Sequence, residues 1–455
     1  MTTVLAFLFT LGVLIVIHEY GHYRMAVACG VKVLRFSVGF GRVLWRHQAT
    51  PQSTEFVLSA LPLGGYVRML DEREGPVAPS EHHLAFNRQS LARRTAIVAA
   101  GPLANLLLAV MLYAAANWIG MDEAKAVLGA PTKGSLAQQA GVRAGDWVHA
   151  VSSDGNEWRD VRSMSDLRWG LTLSLLRAER LHLRLSDLNG RGERIAVLEL
   201  NALTTREVDA QVMRQIGIGA PYAEPLLDQV KPGGAAAKSG LRAGDRVLSV
   251  DGLAIVDRSQ LLEVIRGSAS AGEPAAMAWR IERAGQTLEL SVQPVLAFDN
   301  ERRIGRIEAY IGGAPQMVLV RYALFEGLTQ AVSHTWEMSA LTLRMIGRML
   351  IGEASLKNLS GPLTIADVAG QSVKLGLAYY LGFLAVVSVS LGVLNLLPLP
   401  VLDGGHLMYY LFEAVTGRPV SEQWLERLQR GGVAIMLVMM SLALYNDVAR
   451  LLGLH

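Results

Sequence analysis

The chain has 455 residues, room for about three folded units at roughly 150 residues each. Hydrophobic residues make up 51% and charged residues 18%, below the roughly 25% charged of an ordinary soluble protein, and mean hydropathy is +0.29, which excludes disorder as the general state. The 43 Lys and Arg against 40 Asp and Glu leave a net charge of +3, no strong electrostatic signature for nucleic acid or acidic substrates. The single cysteine, Cys29, excludes an internal disulfide and any Cys-based zinc site. Any metal must be held by His and carboxylates.

The first apolar stretch runs from Val4 to about Ile17 without a charge and, as a helix, continues through His18, Glu19 and His22 to Ala28. That length spans a bilayer. Ala26-Val27-Ala28 has the small-x-small look of a leader cleavage site, but no Lys or Arg precedes Arg24, and a leader's apolar core would not carry His-Glu-x-x-His nearby. A retained helix over 1–28 is expected. Val31–Leu70 then alternates apolar and polar residues around Gly39-Phe40-Gly41 and Gly64-Gly65, which predicts a hairpin-like sheet near the membrane within a region 29–94. A second span is expected over 95–118.

The segment that follows contains a repeat. Gly141-Val142-Arg143-Ala144-Gly145-Asp146 recurs as Gly240-Leu241-Arg242-Ala243-Gly244-Asp245, and at the same offset Gly134 matches Gly233, Val148 matches Val247 and Val151 matches Val250. These are two copies of one domain, expected over 121–205 and 212–297. A tight turn entering a strand, then Asp-Gly, resembles PDZ domains, whose groove takes an extended peptide by strand addition. Ser152-Ser153 makes the first copy the less regular.

Met317–Leu350 is apolar at helical spacing but carries Arg321, Glu326, His334, Glu337, Arg344 and Arg348, too many charges for a span. The expectation is an amphipathic helical region over 315–352, lying on the membrane surface. A third span covers about Val373–Leu397, reaching 405 with the motif at its end. A fourth, 428–447, begins near Gly431 and fades at Asn446-Asp447. Ten basic residues between Arg24 and Arg94 put that segment inside by the positive-inside rule. The N-terminus, Met121–Ser372 and the C-terminus then lie outside.

His18-Glu19-Tyr20-Gly21-His22 carries the chemistry. Residues four apart share a helix face, so both imidazoles reach one ion while Glu19 sits beside its open position. Such an ion activates water at neutral pH, with Glu19 accepting the proton and returning it to the leaving amine. His and Glu are costly beside an apolar span, which argues for function. The third ligand must come from elsewhere. Asn395-Leu396-Leu397-Pro398-Leu399-Pro400-Val401-Leu402-Asp403-Gly404-Gly405-His406 offers Asp403 and, in competition, His406. Asp403 also reads as an ordinary turn residue before two glycines.

His18-Glu19-x-x-His22 together with Asn395-x-x-Pro398-x-Pro400-x-x-Asp403-Gly404 resembles the site-2 protease family of intramembrane zinc proteases. Gly39-Phe40-Gly41, Pro62-Leu63-Gly64-Gly65-Tyr66-Val67 and Gly101-Pro102-Leu103-Ala104-Asn105 are similar to the subgroup with tandem PDZ modules. The resemblance implies a polytopic α-helical membrane protein with four transmembrane helices, a membrane-associated β-hairpin region and two periplasmic PDZ-like α+β domains in the bacterial inner membrane. It implies Zn2+ held by His18, His22 and Asp403, Glu19 as catalytic acid/base, and Asn395 as a substrate-handling residue, with Gly39, Phe40, Gly41, Gly64 and Gly65 as further substrate-binding positions. The implied substrates are single-span anti-sigma factors already trimmed by a first protease, and remnant signal peptides. Peptide C-termini or periplasmic regulators are the partners implied for the PDZ-like copies. The rival readings are a membrane-anchored PDZ scaffold with a non-catalytic metal site and a zinc-dependent transporter.

Overall fold

A computed structural model describes residues 2–203, 210–270, 272–299, 302–351 and 361–451. It divides into two compact units, Met1–Met121 with Arg321–His455, and Asp122–Val320.

In the first unit, helix α1 (Thr2–Ala28) is followed by the antiparallel strands β1 (Val33–His47) and β2 (Glu55–Met69), then helix α2 (Leu91–Ile119). After the second unit come α3 (Leu324–Leu350), α4 (Pro362–Leu375), α5 (Leu377–Asn395), α6 (Asp403–Thr416) and α7 (Glu422–Leu451). Four of these, α1, α2, α5 and α7, are long and apolar enough to cross a membrane.

Helix α2 is the centre of this unit. Its neighbours approach closely because small residues face one another, the usual basis of helix association where lipid removes the hydrophobic drive. A Cβ on Gly21 of α1 would lie 2.8 Å from the Ala104 methyl, and one on Gly392 of α5 would lie 3.0 Å from the Pro102 carbonyl oxygen. Ala109 and Ala114 of α2 form a buried cluster with Ala331 of α3 and Ala385 and Val389 of α5. A second cluster joins Ala6 of α1 to Ala369 of α4 and Tyr380 of α5. The Tyr380 hydroxyl lies 2.9 Å from Thr10 Oγ1 and donates to the Ala6 carbonyl at 3.1 Å.

Three expectations need correction here. Met317–Val320 is a strand, since four apolar residues just after Pro315 are too short a run to nucleate a helix. The helix starts only at Leu324, and it packs on α2 and α5 through Ala331. The third span begins at Leu377, because Gly376 at φ 122° breaks α4 from α5. The fourth does not fade at Asp447 but continues to Leu451. Asp447 is 1% exposed and accepts from the backbone N–H groups of Gly361, Leu363 and Thr364 at 2.9–3.1 Å. A carboxylate in that helix is tolerated because it caps the free donors that begin α4.

The second unit contains two four-stranded sheets of like order, each with a helix over it. The first core gathers Val148, Val151, Leu167, Leu171, Leu183 and Leu185, and the second gathers Val247, Val250, Leu261, Ile265, Trp279 and Ile281. The expected boundaries of 121–205 and 212–297 are shifted. Val212, Ile216 and Ile218 close the first core, while Ile307 and Ile311 close the second. Each copy completes its core with a segment that follows its last long strand, which local alternation does not reveal.

The repeated aspartate is structural in both copies. Asp146 accepts from Arg143 N at 2.6 Å and from Arg194 Nη2 at 2.5 Å. Asp245, 0% exposed, accepts from Arg242 N at 2.7 Å and from two Arg283 nitrogens at 2.7 Å. Asp245→Ala is expected to cost about 3 kcal/mol, the lower end for a broken buried pair because Arg283 keeps 24% exposure. The thermal denaturation midpoint of the intact protein measures it, and an unchanged midpoint contradicts the assignment. The irregular Ser152-Ser153 turn is also bonded. Asp154 accepts from the Asn156 and Glu157 backbone N–H groups and the Ser152 hydroxyl, which hold its carboxyl at about 2.

Candidate metal centre

His18 and His22 lie one turn apart on α1, and Asp403 is the first residue of α6. His18 Nε2 and His22 Nε2 are 3.2 Å apart, and Asp403 Oδ2 is 3.2 Å from the first and 3.5 Å from the second. These side chains are only 12–20% exposed. Among the described residues they are the group whose geometry suits a metal ion. Zinc with ligands at 2.0–2.1 Å in a tetrahedral arrangement requires neighbouring donors about 3.3 Å apart, so the three observed separations fit. The donor set fits as well, two imidazoles and a carboxylate being ordinary zinc ligands.

The surroundings explain why the motif's residues stand where they do. Asp403 is not in a turn. It opens α6, where the helix dipole favours a carboxylate. Gly404 and Gly405 follow because the Leu396, Leu397 and Leu399 carbonyls pass directly over them, leaving no space for a Cβ. His22 Nδ1–H donates to the Ile97 carbonyl at 2.9 Å, which leaves Nε2 bare for a ligand. On the other side, a Cβ on Gly101 would overlap the His22 imidazole. Gly21 is likewise explained by the crossing of α1 over Ala100 and Ala104.

A cavity of about 380 Å³ is lined by Glu19, His22 and Asp403, by Val67 and Met69 of β2, and by Arg73, Arg94, His406 and Tyr410. His406 therefore shares the cavity without joining the three-residue cluster. Arg94 donates to both Glu413 oxygens at 2.6 and 3.2 Å, tying α2 to α6. Arg73 pairs with Asp71 at 2.5 Å. Burial pushes the Asp71 carboxyl up, but the bonds from Arg73 outweigh it and hold it below the usual carboxylate range.

Of the five residues expected at the substrate from β1 and β2, Gly65 reaches the centre. A Cβ there would lie 2.9 Å from Glu19 Cγ and 2.8 Å from the Ser37 carbonyl oxygen. Gly64 has the Phe40 ring against it, and Phe40 stacks on Tyr66 at 6.2 Å. Gly39 and Gly41 hold φ of 89° and 85°, values that L side chains avoid. Asn395, half-buried at the end of α5, does not line the cavity. Ile97, Gly101 and Asn105 have no individual role that the sequence pattern marks. Their spacing of four residues on α2 was the available signal.

The model of peptidase family M50 matches residues 6–439. The chain is 42% identical to a protein of Ralstonia nicotianae named a zinc metalloprotease, over 100% of both chains. It is 37% identical to the regulator of sigma-E protease RseP of Escherichia coli and to the regulator of sigma E protease of Salmonella typhi, over 98% of each chain. The solved structure of a PDZ domain of an SdrC-like protein from Listeria monocytogenes covers 21% of this chain and 93% of its own, at 18% identity and a TM-score of 0.17. The chain belongs to peptidase family M50, the site-2 proteases. It is a membrane metalloprotease.

Proposed function

We propose that this protein cleaves single-span membrane proteins within their membrane segment, using Zn2+ held by His18, His22 and Asp403. The observation that carries the reading is the convergence of those three donors beside Glu19 on a helix apolar enough to span the bilayer. When bound, zinc supplies Lewis acidity toward the scissile carbonyl and toward water. Glu19 takes the proton of the attacking water and returns it to the amine as the C–N bond breaks.

A helical substrate must unwind first, and unwinding in lipid leaves backbone groups unsatisfied at several kcal/mol each. The Val57–Leu70 edge offers replacement partners by strand addition, and Val67 and Met69 on it line the cavity. Gly65 lets this strand pass against Glu19. The hairpin carries exposed Phe40, Val43, Leu44, Trp45, Leu58 and Leu61, a patch suited to the bilayer. Asn395 is assigned to a freed backbone group of the substrate. Asn395→Ala is expected to lower cleavage of a helical substrate about tenfold more than cleavage of one loosened by Gly or Pro, about the value of one hydrogen bond to a desolvated group. Equal losses would remove Asn395 from that role.

By likeness to the regulator of sigma-E protease relatives, the substrate class is an anti-sigma factor trimmed outside by a first protease, with remnant signal peptides as a second class. Cleavage then activates an envelope-stress sigma factor. The proposed setting is the bacterial inner membrane, with the metal toward the cytoplasm and two PDZ-like copies in the periplasm. There they gate access or receive new peptide C-termini. The test is cleavage of a bilayer-embedded single-span substrate by the purified protein. Chelation should abolish it and added Zn2+ restore it, whereas a scaffold cleaves nothing under either condition.

A further inference from the structure

Asn105 sits on α2 one turn beyond Gly101, with its side chain fully buried. Its amide nitrogen lies 3.3 Å from His18 Nδ1, while its amide oxygen has no hydrogen-bond partner among the described residues. Both facts are the wrong way round for a metal-ligating histidine. For His18 Nε2 to present a lone pair, Nδ1 must carry the proton, and that N–H needs an acceptor. An amide NH2 is a donor only. The two ends of a carboxamide differ little in shape, and half a turn about the last torsion exchanges them.

We propose that Asn105 is the positioning residue for His18, its amide oxygen accepting the Nδ1 proton so that Nε2 is held bare and aimed at the metal. The exchange gives the orphaned oxygen its partner and the imidazole its ligand tautomer in one step. The same helix does this for the second histidine, through the Ile97 carbonyl on His22 Nδ1 at 2.9 Å. Ile97, Gly101 and Asn105 are spaced i, i+4, i+8 and form one face. On this face two acceptors flank the glycine that admits the His22 ring. The Asn105 turn is anchored in turn, since the Ser388 hydroxyl of α5 donates to the Asn105 backbone carbonyl at 2.7 Å.

This inference rests on the metal reading above. The test compares Asn105→Asp, which keeps an acceptor and removes the donor, with Asn105→Leu, which keeps the volume and removes both. Metal affinity of the full-length purified protein is measured with Zn2+ by chelator competition, and with Co2+ by its visible spectrum. Asn105→Leu should weaken Zn2+ binding 10- to 100-fold, the usual cost of losing a ligand's supporting partner, and alter the Co2+ spectrum. Asn105→Asp should bind within about threefold of the parent on that same ground. Metal-free denaturation midpoints separate lost binding from lost folding. Parent-like affinity in Asn105→Leu, or equal losses in both variants, overturns the proposal. A parent protein that binds no metal at all would instead sink the metal reading itself.

Discussion

Glu19→Gln protein is expected to keep its metal and to lose peptide cleavage by about 10²- to 10⁴-fold, the range for removing a positioned general base. The substitution is nearly isosteric, so the contact with Gly65 and the wall of the cavity are preserved. Glu19 is not one of the three converging donors, so the ion should remain. Metal content by elemental analysis, read beside cleavage of a membrane-embedded substrate, separates the two effects. A variant that still turns over at the parent rate would remove Glu19 from the chemistry. One that loses metal and activity together would make it a ligand instead.

Gly101→Ala should disable the centre from the opposite side. The added methyl would overlap the His22 imidazole, and the ring is already fixed by its bond to the Ile97 carbonyl. Relief requires that the ring leave this bond or that α2 back away from α1, and packing strain of this kind costs about 1–3 kcal/mol. Zn2+ affinity is expected to fall about 10- to 100-fold, as for other losses of ligand orientation, with cleavage falling at limiting metal. Chelator competition checks the first and a metal titration of activity the second. Full activity with parent affinity would mean that the ring has another place to go.

The two changes mark different kinds of legibility. Glu19 was readable from its neighbours, since His-Glu-x-x-His on one helix face is a local pattern with a chemical reason. Gly101 was not. A glycine within an apolar helix looks the same whether it faces lipid, a neighbouring backbone or an imidazole, and which one it meets depends on how α1 crosses α2. Asp403 lay between these cases. Its spacing from the prolines marked a built segment, yet His406 was as good a ligand by type. The carbonyls of Leu396, Leu397 and Leu399, folded over Gly404 and Gly405, set Asp403 and not His406 against the two imidazoles.

Apolar run length, alternation and the recurring Gly-x-Arg-Ala-Gly-Asp segment were enough to predict the four apolar helices, the β1–β2 hairpin and the repeat, because each is written in contiguous stretches of the chain. The closing segments of the two repeated cores and the extension of α7 past Asp447 were decided only by the tertiary structure. So was the carbonyl acceptor behind His22. In each of these a group's role depends on a partner distant in sequence, and a buried carboxylate or amide is defined by the donor or acceptor it meets.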